Sequence, residues 1–324
     1  MHFLERKLQE LYNYFPALEP PGDLDDFWER TLEEAGDKPA DSRREPYAWL
    51  SPHVEAYRVV YRGYDETPIH GWYLLPSFGE AREEGQGLPC VVLFHGYSGS
   101  KGEPDQYAAW LLAGFAVFAV DVRGQNGETG NRLPQTYGMT KGWVAQGVLD
   151  PYRSYYRAIS VDAVQALRWA AEQPEIDRRR IAAAGTSQGG GLALIAGALS
   201  GVPCRIVADI PNMCHMDYGL FASTGSLSEI ADFVSRHPEE HERVLRTLGY
   251  FDMLNLCGRL RCPVMMSAGL KDTVCPPETI FAVYNRLTVP KEMHVFPFNG
   301  HAVSGDHFRK RVEFIRGPEP HSQA

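Results

Sequence analysis

Gly185-Thr186-Ser187-Gln188-Gly189 places a serine between small residues at a spacing suited to acyl transfer. It follows the apolar run 181–184 and opens the small-residue stretch 190–199, a context of strand, sharp turn and helix. Small neighbours let the backbone strain until the hydroxyl stands above the sheet, at a helix N-terminus that favours negative charge. A serine used this way needs a base and an acid that orients the base. In α/β sheets built around such an elbow both follow the serine, each just beyond a later strand. The run 263–269 reads as a buried parallel strand and leads into Leu270-Lys271-Asp272-Thr273-Val274-Cys275-Pro276-Pro277, so Asp272 lies just past its end. The strand pattern 292–297 gives way to Phe298-Asn299-Gly300-His301, which puts His301 at the same edge of the sheet, where ligands bind in open α/β folds. Ser187, His301 and Asp272 are therefore the expected nucleophile, base and orienter.

Plainer roles exist for each partner. Asp272 could cap the next helix, and His301 could be a solvated turn residue. His294 lies inside a strand pattern, His307 falls in a helical one, and His95 precedes the serine. Asp306 and Asp252 are the alternative acids. Developing negative charge on the substrate oxygen needs two donors, normally the N–H after the nucleophile and one from the loop after an early strand. Gln188 supplies the first. Phe94-His95-Gly96-Tyr97-Ser98-Gly99 leaves a strand through glycines, so the Tyr97 N–H is the expected second, unless this is a plain glycine turn with Tyr97 packed beneath it.

Other motifs carry less. His237-Pro238-Glu239-Glu240-His241 has the H-x-x-E-H spacing of a metalloprotease class, yet Pro238 suits a helix start and no third ligand stands out. The glycines at 124, 127 and 130 lack the dinucleotide spacing, and Ser98-Gly99-Ser100-Lys101 is no phosphate loop. No cofactor and no metal are expected.

The elements that must hold these residues follow from hydrophobic periodicity. Runs at 90–94, 115–120, 181–184, 204–210, 263–269 and 292–297 read as strands of a mostly parallel, doubly wound sheet, with helices near 106–112 and 162–171 between them. Segments 54–61 and 68–75 alternate like an antiparallel leading pair. Residues 1–50 suggest a helical wrap, with Leu4, Leu8, Leu11 and Phe15 at helical spacing and a second helix near 26–34. Residues 211–261, with helical blocks at 227–236 and 239–248, suggest a cap inserted in a single α/β-hydrolase domain spanning 1–324. A long irregular insertion at 124–150 looks poorly suited to cover a core and free to reach a neighbouring subunit.

The chain has 324 residues, 44% of them hydrophobic, and a formal charge of −9. That balance disfavours nucleic acid and anionic membranes, which demand a basic surface, and suits a neutral small molecule. Six cysteines without a C-x-x-C pair suggest a reducing compartment, and the charged N-terminus lacks a signal peptide's apolar core, so a cytoplasmic location is expected.

Together, Asp121-Val122-Arg123-Gly124-Gln125, Gly185-Thr186-Ser187-Gln188-Gly189 and Gly300-His301 resemble, in order, the Arg-Gly-Gln, Gly-x-Ser-Gln-Gly and His-Glu motifs of the acetyl xylan esterase and cephalosporin C deacetylase family. The resemblance runs nearly end to end, from Asp26-Phe27-Trp28-Glu29 through Gly147-Val148-Leu149-Asp150-Pro151 and Thr247-Leu248-Gly249-Tyr250-Phe251-Asp252 to the Asp272 turn. It implies removal of small acyl groups, chiefly acetyl, from sugars such as xylo-oligosaccharides and from cephalosporin-like esters. It also implies a cytoplasmic homo-oligomer, a hexameric ring, and the same triad, with Tyr97 and Gln188 forming the oxyanion hole. Tyr97, Pro211 and Asn212 would meet substrate; Arg123, Gly124 and Gln125 would serve structural hydrogen bonding around the elbow. Ala302 stands where the family usually carries Glu, Thr186 where glycine is usual, and Asn212 where an aromatic is common. A longer-chain esterase or peptidase on the same fold, and a non-catalytic hydrolase-like binding module, are the competing readings.

Overall fold

The computed structural model describes residues 2–36, 42–49, 51–78, 87–136 and 142–317. The chain opens with helices α1 (Phe3–Tyr12) and α2 (Leu24–Gly36), then strands β1 (Arg43–Tyr47), β2 (Val54–Arg62) and β3 (Pro68–Pro76). The alternating core follows: β4 (Leu88–Phe94), α3 (Ala108–Leu112), β5 (Ala116–Val120), α4 (Tyr155–Glu172), β6 (Ile176–Thr186), α5 (Gln188–Ser200) and β7 (Arg205–Asp209). Four helices, α6 (Met216–Ala222), α7 (Leu227–Arg236), α8 (His241–Gly249) and α9 (Met253–Leu256), form the insertion before β8 (Val264–Gly269), α10 (Pro277–Arg286), β9 (Lys291–Phe296) and α11 (His307–Arg316).

The strands form one nine-stranded sheet in the order β1-β2-β3-β5-β4-β6-β7-β8-β9. The first three pair antiparallel and β5 onward run parallel. This is the expected α/β-hydrolase arrangement. Alternate residues of each strand feed opposite faces. Cys90, Val92, Phe118, Ala183 and Ile206 pack with α4, α5 and α10, whereas Val91, Val117, Ala182 and Val207 pack with Trp110 of α3 and Val312 and Ile315 of α11.

Three expectations change. The wrap is not helical throughout, because Arg43-Arg44-Glu45-Pro46-Tyr47 joins the sheet edge as β1; charges and a proline suit an edge strand but hide it from a hydrophobic pattern. Helix α4 begins at Tyr155, ahead of the apolar block at 162, because Ser154 caps it by accepting from the Tyr156 N–H. The 124–150 insertion does cover the core: Val144, Ala145, Val148 and Leu149 are buried in it, and the Thr129 hydroxyl accepts from the His70 N–H. Its residues 137–141, like residues 37–41 and 50 of the wrap, lie outside the described residues. The N-terminal segment is fastened to the body by Arg157, which binds Glu34 and Thr31, and to the inserted helices by the Trp28 indole, which donates to the Tyr250 carbonyl.

Candidate active site

Ser187 leaves β6 with φ 59° and ψ −121°, a conformation costly for any residue with a side chain. Neighbouring contacts enforce it. The Ser187 N–H donates to the Asp209 carbonyl at 2.9 Å, and its carbonyl accepts from the Gly191 and Asn212 N–H groups. Two glycines make the turn possible: a β-carbon on Gly185 would lie 2.3 Å from the Gly189 carbonyl carbon, and one on Gly189 would lie 2.0 Å from the Phe94 oxygen. The hydroxyl is thereby held at the start of α5, whose first N–H groups have no partner within the helix.

Asp272 follows β8 in a tight turn. Its Oδ1 accepts from the Val274 and Cys275 N–H groups at 2.8 and 2.9 Å, and its Oδ2 lies 2.8 Å from His301 Nδ1. A carboxylate so placed can only accept, so Nδ1 carries the proton and Nε2 keeps its lone pair for a substrate-side proton. The histidine loop rests on the acid turn: the Lys271 N–H donates to the Asn299 carbonyl, and the Asn299 amide donates to the Ala302 carbonyl. Backbone and Asn299 contacts thus hold the loop where Ala302 offers no side-chain acceptor. Ser187 and His301 do not share a hydrogen bond here. The serine hydroxyl instead sits 4.0 Å from Cys275 Sγ, a thiol that burial pushes far up in pKa and keeps protonated.

The turn after β4 completes the edge. The Gly99 N–H donates to the Gly96 carbonyl, leaving the Tyr97 N–H free of that turn bond, and a β-carbon on Gly96 would stand 3.8 Å from Ser187 Cβ. Behind the elbow, the Gln125 and Gln188 amides bond to each other, Gln125 also donates to the Tyr155 hydroxyl, and that hydroxyl donates to the Arg123 carbonyl. The fully buried Arg123 guanidinium binds Asp162, Asp65 and the Tyr64 carbonyl.

A family model described as acetyl xylan esterase (AXE1) matches residues 1–317. The chain belongs to this family. An acetyl xylan esterase from Paenibacillus sp. R4 superposes with a TM-score of 0.91 at 37% identity, covering 95% of this chain and 98% of that one. Acetyl xylan esterase 1 from a Thermoanaerobacterium species superposes with a TM-score of 0.88 at 31% identity, over 95% and 97%. Acetyl esterase Axe7A of Xylanibacter ruminicola is 26% identical over 293 residues; the match spans 88% of this chain and 64% of that longer relative.

Within this acetyl xylan esterase family member the competing residues have other work. His95 Nε2 accepts from the Val122 N–H while Nδ1 lies 2.8 Å from the Gly96 carbonyl, joining the ends of β4 and β5; burial lowers its pKa, which suits the neutral ring this needs. His307 is buried 2.6 Å from Asp209, and His294 pairs with Glu292. Asp252 caps α9 and also accepts from the His215 and Met216 N–H groups, while Asp306 is an exposed residue bonded to Ser304. His237 and His241 each face a neighbouring carboxylate, Glu239 and Glu242, at 3.8 Å. Pro211 and Asn212 are buried at the end of β7, with the Asn212 amide donating to Ser226. Sequence reasoning missed Cys275 beside Ser187, and Trp143 and Glu229 around the Tyr97 hydroxyl. Only Cys275 carried a signal, lying three residues after Asp272.

Proposed function

We propose that this chain is a serine esterase that removes small acyl groups, chiefly acetyl, from acetylated sugars such as xylo-oligosaccharides and from cephalosporin-like esters. The observation that carries the reading is the convergence, at one sheet edge, of the strained Ser187 elbow, the Gly96 turn against it and the 2.8 Å Asp272–His301 pair. Ser187 attacks the ester carbonyl as His301 Nε2 takes its proton; the Tyr97 and Gln188 N–H groups receive the oxyanion. The protonated imidazole then gives its proton to the departing sugar oxygen. Water, deprotonated by the same nitrogen, releases the acid and restores Ser187, while Asp272 holds the tautomer throughout. Catalytic hydrogen bonds often tighten only when substrate is bound, which accommodates the open Ser187–His301 pair.

The deciding experiment combines release of acetate from acetylated xylo-oligosaccharides with fluorophosphonate labelling of Ser187. Labelling with acetate release supports the reading. Labelling with preference for long-chain esters or peptide amides would point to the rival esterase or peptidase, and no labelling to a binding module.

By the same resemblance we propose a cytoplasmic homo-oligomer. Six unpaired cysteines agree with a reducing compartment. Light scattering tests the assembly, and a monomer mass at micromolar concentration would overturn it.

A further inference from the structure

The Tyr97 hydroxyl is a junction of three segments. It donates to Glu229 Oε2 at 2.5 Å and accepts from the Trp143 N–H at 2.9 Å, while the two aromatic rings meet edge-on with centroids 5.3 Å apart. Glu229 belongs to α7 of the cap, Trp143 to the long insertion, and Tyr97 to the turn against Ser187. The carboxylate is packed so tightly on Gly142 (φ +82°) that a β-carbon there would overlap Oε2 at 1.6 Å. Burial, and then the bond to Glu229, raise the Tyr97 pKa, so the phenol stays protonated and keeps donating.

Packing alone does not explain this arrangement. An apolar ring would fill the same space without drawing a half-buried carboxylate out of water, which costs free energy unless the group is well bonded. The far side of the turn is already restrained, because the Asn126 amide donates to the Ser98 carbonyl at 2.6 Å and its N–H to the Gly99 carbonyl. The Tyr97 phenol is the handle on the near side.

We propose that Glu229 is a positioning residue for the oxyanion hole: by gripping the Tyr97 phenol it aims the Tyr97 N–H at the oxyanion and makes the completed hole depend on the cap. This inference rests on the esterase reading. Losing an oxyanion donor outright costs about 10²- to 10³-fold in kcat, so a donor left in place but loosely aimed should cost roughly tenfold.

The test compares Tyr97→Phe, Glu229→Ala, Glu229→Gln and the Tyr97→Phe/Glu229→Ala double variant on 4-methylumbelliferyl acetate, with thermal midpoints as the check on folding. Tyr97→Phe, which keeps the ring and the N–H, and Glu229→Ala should each lower kcat about tenfold with KM within about twofold. The double variant should fall no further than the worse single one, because both remove the same bond. Glu229→Gln, which keeps an acceptor oxygen, should recover most of the rate. Affinity for a boronic acid that forms a tetrahedral adduct on serine should weaken in step with kcat. Unchanged kcat, losses that multiply in the double variant, or a rise in KM alone would overturn the inference while leaving the esterase reading intact. A native protein that neither turns over the ester nor takes the fluorophosphonate at Ser187 would overturn both.

Discussion

Gln125 and Gln188 exchange side-chain amide hydrogen bonds, at 2.9 Å from Gln125 Nε2 to Gln188 Oε1 and 3.4 Å in return, although 63 residues separate them. Gln188 is the first residue of α5 and directly follows Ser187, so the pair ties the elbow to the segment after β5. Both are buried. In Gln125→Ala the Gln188 amide would be left dry and unpaired. We expect a loss of about 1–3 kcal/mol in urea unfolding, the cost of an unsatisfied buried amide. A change below about 0.5 kcal/mol, the range of ordinary surface substitutions, would mean that water or another side chain replaces Gln125.

The strain at Ser187 separates activity from stability. Ser187→Ala and His301→Ala should each reduce ester hydrolysis by about 10⁴- to 10⁶-fold. Ser187→Gly should be equally inactive but more stable than the native chain. Relief of the positive φ returns about 1–3 kcal/mol, against roughly 0.5–1 kcal/mol for the added freedom of glycine in the unfolded chain. A thermal midpoint for Ser187→Gly at or below that of Ser187→Ala would show that the elbow is not strained.

How legible was all this in the sequence? Strands β6, β8 and β9 announce themselves as apolar runs ending in glycine or turn residues, and that is enough to bring positions 187, 272 and 301 to one sheet edge. Helix α7 was legible at both ends because its apolar face is sharply periodic. Strand β1 was not, since its five residues include three charges and a proline and its place depends on β2. The covering role of Val144 and Val148 was hidden by the Gly- and Asn-rich residues before them. The Tyr97–Glu229 bond, across 132 residues, has no local signature; it exists only because α7 comes back against the turn after β4.

Asp252 should give stability a pH dependence. It is buried among the inserted helices, at the start of α9, and burial pushes its pKa up to about 6 from 3.8, against the lowering pull of the Leu254 and Met216 N–H groups and His215, with Asp217 nearby adding to the rise. The folded state therefore binds this proton more tightly than the unfolded chain. The associated stability is fully present below the unfolded pKa and is lost as pH rises through about 6. The unfolding free energy of the native chain minus that of Asp252→Asn should thus decline between pH 4 and 7. A difference that is flat, or that grows with pH, would mean the backbone donors outweigh burial and the carboxylate is held ionised.

Asn212 follows Pro211 at the end of β7 and is buried there. Its N–H donates to the Ser187 carbonyl at 3.0 Å, so its backbone is locked to the elbow, and its side-chain amide donates to Ser226 of the cap insertion. We propose that this small polar residue, where the family resemblance implies an aromatic ring, leaves room beside the acyl group. Propionate and butyrate esters should then lose less kcat/KM relative to acetate than in a ring-filled pocket, where each extra methylene is worth about 1–3 kcal/mol. Asn212→Phe should restore the preference for acetate, at a stability cost because the Ser226 hydroxyl and the buried Met213 N–H both lose their partner. Measured kcat/KM for the three esters in both forms decides the point. An unchanged ratio would put Asn212 outside the acyl pocket, because a ring added at a pocket wall must penalise the longer acyl chains first. A parallel collapse of all three, with a lowered thermal midpoint, would mean that the Asn212–Ser226 contact is needed to seat the cap, and the acyl-pocket role would fall.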